Sequence, residues 1–317
     1  MSVQIVKLRM TYWLVRFVRF RPVVLWTLFF VVNTVFANTS KGVCRFETHS
    51  LAFQGTAVEQ ARCLLTPVLK GGRLDTTHAE LPLLFRNLVG RPAQIDLSKF
   101  KHYSSELGLD PNSFGGGVNL PLSRADSGNG PVAKYFVIHD TSYNVCADTG
   151  QLAKSDLSDA PWNRINTWTN NKNAHLYITR DGKLIAPQGR TFATAWRATK
   201  LENEIGLVSR GLFLHVENVQ LRVAELKVGQ SPKNADGNCR NDRIAQQPGL
   251  TDTQLSRLAL TYIAASLRGG AWMIPAYHAV IDAGISDGHD DPQNFDLTQW
   301  GRHLCAHMDK LGAPCSN

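Results

Sequence analysis

Three short segments between residues 134 and 219 repeat apolar residues at period two, and they restrict the fold more than any other feature. KYFVIHD (134–140) places Tyr135, Val137 and His139 on one face of a strand. HLYITRDGKLIAP (175–187) sets two apolar runs around Asp181-Gly182, a hairpin turn pair. GLFLHVENV (211–219) aligns Phe213, His215, Glu217 and Val219 on one face. The period then changes. Thr251-x-x-Gln254 opens an amphipathic helix with Leu255, Leu258, Tyr262 and Leu267 along its buried stripe, ended by Gly269-Gly270. A last helix is expected from about Asp296 to Lys310, where Leu297, Trp300, Leu304 and Met308 recur at helical spacing. Strands mixed with helices predict an α/β domain built on one central sheet.

Upstream, residues 38–109 read as a small, mainly helical region. Thr56-x-x-Glu59 is a capping-box pattern before AVEQARCLLTPVLK, a run stopped by Gly71-Gly72 and kinked or shortened by Pro67. Residues 110–131 are dense in turn formers and form the expected linker. The main domain is then 132–317, with a polar insertion loop near 220–250.

The first 37 residues differ in kind. VVLWTLFFVVNTVFA (23–37) follows five basic residues and no acid, and Val35-Phe36-Ala37 resembles a small-residue cleavage site. This pattern predicts a secretory signal peptide, with an uncleaved N-terminal anchor as the alternative; only an uncleaved segment would make the membrane a partner. Of the formal charge of +8, those basic residues supply most: without them 29 basic residues face 26 acidic ones, a net of +3. That balance argues against nucleic-acid binding and suits an anionic polymer such as a cell wall. Content of 43% hydrophobic and 19% charged side chains excludes a disordered chain. Outside the cytoplasm, Cys44, Cys63, Cys146, Cys239, Cys305 and Cys315 are expected to form disulfides. Local closure favours Cys44–Cys63 and Cys305–Cys315, which leaves Cys146–Cys239.

The chemistry-bearing residues are scattered. His139 ends a strand, Glu217 lies on another, His278 follows IPAY, and Asp291 lies in GHDDPQNF. Two neutral imidazoles and one carboxylate are a common catalytic zinc set with a fourth position open to water. No single spacing here is diagnostic of a metal, and each histidine taken alone also fits a hydrogen-bonded structural role.

Taken in order, FVIHDTS, AHLYITRDGKLIAP, TAWRAT, LHVENV and HAVIDAGISDGHDDP resemble the zinc-dependent N-acetylmuramoyl-L-alanine amidases, the type-2 amidases related to peptidoglycan recognition proteins. The resemblance covers about 133–302 and leaves the N-terminal region aside. It implies a mixed central β-sheet flanked by helices and a Zn2+ ion in a surface groove. It also implies cleavage of the amide joining N-acetylmuramic acid to L-alanine in peptidoglycan or muropeptides. By position, His139, His278 and Asp291 match the metal ligands and Glu217 the proton-transfer group. Trp196 matches the groove tryptophan. Arg197 stands where the family has His, Thr199 where it has Gly, and Gln293 where it has the Gly of D-P-G. His289 replaces a Lys, where it would stabilise the oxyanion as a weaker cation. The long gap between His278 and Asp291 leaves His289 or Asp290 as alternative third ligands.

Other residues carry two readings each. Arg197 could bind a stem-peptide carboxylate or be a solvated surface residue. His175 could line the groove or pack, and His215 could orient Glu217 or be a satisfied sheet histidine. Trp162 and Trp168 could stack on sugar or pack in the core. His303 and His307, four apart on the last helix, could bind metal or face solvent. The rival to an amidase is a binding module of the same fold that holds peptidoglycan without cutting it.

Overall fold

The computed structural model describes residues 40–146, 152–240 and 243–315. The expected leader, 1–37, lies outside them. Asn38–Asn317 is one compact unit.

Its centre is a five-stranded sheet. In chain order the strands are β1 (Tyr135–Asp140), β2 (Leu176–Ile178), β3 (Leu184–Ile185), β4 (Phe213–Asn218) and β5 (Ile274–Tyr277). The spatial order is β5-β1-β4-β2-β3. All neighbours are parallel except the β2–β3 hairpin, so the sheet is mixed, as expected. Register sets His139 opposite Glu217 and Val137 opposite His215, with the face alternation that the sequence implied.

Each face has its own cover. Phe136 meets Tyr262, which belongs to helix Asp252–Gly269. That helix begins with the expected Thr251–Gln254 capping box and ends at left-handed Gly270. Tyr135, one residue earlier and therefore on the opposite face, stacks on Phe213 at 4.9 Å and meets Phe53 edge-on at 5.1 Å. Its hydroxyl donates to Gln60 Oε1 and accepts from the Phe53 amide. Residues of the N-terminal region thus cover the beginning of the face whose far end carries His139 and Glu217.

That N-terminal region holds helices α1 (Ala57–Leu64), α2 (Leu83–Leu88) and α3 (Leu97–Glu106), with a small antiparallel sheet formed by Ser40–Lys41, Phe46–Glu47 and Ala52–Phe53. The Thr56–Glu59 capping box is present, and α1 stops at Leu64, short of Pro67. Phe85 of α2 stacks at 4.9 Å on Trp300 of the last helix, Leu297–Lys310. One hydrophobic core therefore runs through both halves of the chain. The stretch 110–131, read as a linker, sends Phe114, Val118, Leu122 and Ala125 into this core. The Arg268 guanidinium reaches its carbonyls at Gly115, Leu120 and Pro121. The insertion at 220–250 is not all loop: Leu221–Val223 pairs with Ile244–Ala245 and with Tyr143–Asn144 in a second small sheet.

The disulfides are Cys44–Cys63, Cys146–Cys239 and Cys305–Cys315, the pairing expected from local closure. They suit an oxidising compartment. Among the described residues no helix is long and apolar enough to cross a membrane.

Candidate metal centre

The parallel strands end together, and their carboxyl ends are where an open α/β sheet exposes a crevice. His139 is the penultimate residue of β1, and Glu217 stands beside it on β4. His278 follows directly after β5. Asp291 comes from the loop beyond and is clamped at two points. Its carbonyl accepts the Ala279 amide at 2.8 Å, and its Oδ2 accepts the Asp140 amide at 3.0 Å.

These elements bring His139, His278 and Asp291 together, each buried. His139 Nδ1 lies 2.8 Å from His278 Nδ1, which lies 3.0 Å from Asp291 Oδ1. Asp291 Oδ2 is 3.9 Å and Glu217 Oε1 4.0 Å from His139 Nδ1. The outer nitrogens point away from this centre. His278 Nε2 is 3.1 Å from Asp282 Oδ2, and His139 Nε2 is 3.0 Å from His215 Nδ1.

A proton on each outer nitrogen would leave His139 Nδ1 and His278 Nδ1 as lone pairs facing one another beside the Asp291 oxygens. Such a set of facing lone pairs is repulsive by itself and calls for a cation at its centre. Two neutral imidazoles with one carboxylate suit a borderline divalent ion. The three side chains lie close enough to hold a metal ion.

Electrostatics agree with that geometry. Burial, and after it the charges of His278 and His215, holds the His139 imidazole well below its ordinary range. Burial acts the same way on His278, but the Asp291 and Asp282 carboxylates outweigh it and push that group up to about 10. A proton there marks the demand for positive charge between these carboxylates. Burial, then the nearby Asp291, pushes the Glu217 carboxyl well above the usual range. Glu217 Oε2 is buried without a hydrogen-bond partner.

The centre opens into a cavity of about 330 Å³ lined also by Trp196, Arg197, Asn173 and His289. Trp196 is packed beneath the Arg190 guanidinium at 3.6 Å. His289 stacks on the His278 ring at 3.9 Å, and its Nδ1 lies 2.6 Å from Asp282 Oδ2. His278 Nε2 and His289 Nδ1 thus face one carboxylate oxygen, and His278, Asp282 and His289 form a second group close enough to hold a metal ion. Asp290 points elsewhere, toward Arg222 at 3.4 Å and Gln293 at 3.2 Å.

Comparison with family models, curated proteins and solved structures gives no match. The functional reading therefore rests on the residues themselves.

Several expected residues are placed away from the groove. His175 is fully buried: its Nδ1 accepts the His215 amide and its Nε2 donates to the Thr194 carbonyl, so it has no surface for a groove role. His215 turns to His139 and Glu202 rather than to Glu217. Trp162 and Trp168 are buried in a satellite cluster, their indole N–H groups donating to the Ser155 and Trp162 carbonyls. His307 bonds Tyr103 and Ser256 through its two nitrogens, and His303 bonds Asp252, so this pair makes no chelate.

Glu202, Asp282 and Arg222 are also close to the site and were not among the expected residues. Asp282 had a signal, being four residues after His278, one helical turn on. Arg222 lay within the presumed polar loop, yet it is fully buried and pairs with Asp140 at 2.7 Å.

Proposed function

We propose that this chain is a zinc-dependent hydrolase of peptidoglycan, cleaving the amide between N-acetylmuramic acid and L-alanine, and that it works outside the cytoplasm, secreted or periplasmic. The observation that carries the reading is the convergence of His139, His278 and Asp291 beside Glu217 at the mouth of one cavity. The ordered motifs that resemble type-2 amidases support the choice of substrate.

His139, His278 and Asp291 would hold the zinc, which supplies Lewis acidity and a lowered pKa for water. The protein supplies the rest. Glu217 accepts the proton of the attacking water and returns it to the departing L-alanine amine, a double task that suits a carboxyl whose proton affinity burial has raised. His289, at the cavity wall, donates to the oxygen that gains charge, while Asp282 holds its ring against His278. Trp196 and Arg197 form one wall; the indole offers a flat face and the guanidinium a fork for a stem-peptide carboxylate.

The test is mass-resolved digestion of purified sacculi or a muropeptide by the 38–317 protein, with and without chelator, beside Glu217→Gln. Release of free stem peptide that requires metal and Glu217 is expected. Retention on the polymer with no product would assign the chain to the binding-only alternative.

A further inference from the structure

The two capping boxes at Thr56–Glu59 and Thr199–Glu202 have the same chemistry and opposite surroundings. Glu59 is exposed, as a capping glutamate ordinarily is. Glu202, on the short helix Lys200–Ile205, has no exposed surface. Its Oε2 accepts the amides of Ala198 and Thr199 at 3.1 Å each and the Thr199 hydroxyl at 3.0 Å. The same oxygen lies 3.2 Å from His215 Nε2. Capping does not require burial, and burying a carboxylate is costly, so the second contact gives the burial a reason.

We propose that Glu202 and His215 are positioning residues that decide which nitrogen of His139 faces the metal site. The inference rests on the metal-centre reading above. The contact is not aligned as a hydrogen bond, but a carboxylate oxygen 3.2 Å away repels a ring lone pair and so favours the His215 proton on Nε2. His215 Nδ1 is then an acceptor, 3.0 Å from His139 Nε2. That fixes the His139 proton on Nε2 and leaves the Nδ1 lone pair facing His278 and Asp291. The relay is held rigid from the side. His215 stacks on His175 with rings 3° from parallel, and the His215 amide donates to His175 Nδ1. Reversing any link would put a proton on His139 Nδ1, where a metal must sit.

Glu202→Ala is the discriminating variant and Glu59→Ala its control. A single oxygen of Glu202 makes both the cap and the His215 contact, so a glutamine that kept the cap would keep an oxygen facing His215. Alanine removes that oxygen, and both alanine variants lose the glutamate half of a capping box. Nitrogen-15 NMR of histidine ring tautomers in metal-free protein should show His139 as the Nε2–H form in wild type and a share of the Nδ1–H form in Glu202→Ala. Zinc affinity, from competition with a chromophoric chelator, should fall about 10- to 100-fold in Glu202→Ala and stay unchanged in Glu59→Ala. An Nδ1–H form of His139 in the wild type overturns the proposal even if the variant does not fold. So does a folded Glu202→Ala with wild-type tautomers and affinity. A wild type that shows the Nε2–H form yet binds no zinc would sink the metal reading instead, so the two failures are separable.

Discussion

Gly72 offers a way to move the metal loop without touching a ligand. Its φ is +78°, and a Cβ built there would lie 2.1 Å from Asp290 Cβ and 2.8 Å from Asp290 Cα. Carbon atoms in ordinary contact need about 3.5 Å, so Gly72→Ala demands a shift of ~1 Å, part of it in the backbone of the residue before Asp291. Gly71 is the natural control: its φ is +70°, and a Cβ there meets nothing within 4 Å. Both alanines bear the left-handed backbone cost, roughly 1–2 kcal/mol, and both should lower the melting temperature alike for that reason. Only Gly72→Ala should weaken zinc binding as well, by about 10- to 100-fold, since a misplacement of ~1 Å at a site can cost that much. The assay is chelator competition beside thermal melting. Equal zinc affinity in the two variants would refute the inference that the close approach of Gly72 to Asp290 fixes where the Asp291 loop lies.

Three further outcomes are expected. Glu217→Gln should lower turnover by about 10²- to 10⁴-fold while bound zinc, measured by elemental analysis, is retained; turnover near wild type would remove Glu217 from the proton path. Arg222→Met strands the buried Asp140 and should cost about 3–5 kcal/mol in denaturant unfolding, with much of it recovered when Asp140→Leu is added; strictly additive losses would contradict the pairing. His307 is buried, and burial holds its imidazole down at about 4, against 6.5 in the unfolded chain. A depressed histidine favours the fold fully above pH 6.5 and loses that contribution as pH falls toward 4. His307→Gln should therefore flatten part of the stability decline over that window, and an unchanged slope would refute it.

What the amino-acid order revealed follows from its local physics. Period-two alternation placed His139 and Glu217 on the faces that the register then brought side by side. The Thr56–Glu59 and Thr251–Gln254 patterns marked helix starts, and Pro67 marked where α1 could not continue. What escaped was set by tertiary burial. A capping glutamate reads the same whether solvent or a histidine lies beyond it, so nothing local distinguished Glu202 from Glu59. Arg222 looked solvated because a guanidinium is buried only when a distant carboxylate meets it, here Asp140 from another strand. The turn formers at 110–131 signalled turns correctly, but their buried Phe114 and Leu122 bind that stretch into the shared core rather than leaving it a linker.

The central claim is that His139, His278 and Asp291 share one divalent ion. Zinc K-edge X-ray absorption on purified protein tests it directly. The expected spectrum corresponds to about one zinc per chain with nitrogen and oxygen neighbours that include two imidazoles, and the imidazole contribution should drop in His278→Ala. Zinc that washes off freely, or a first shell with no imidazole, would contradict the account.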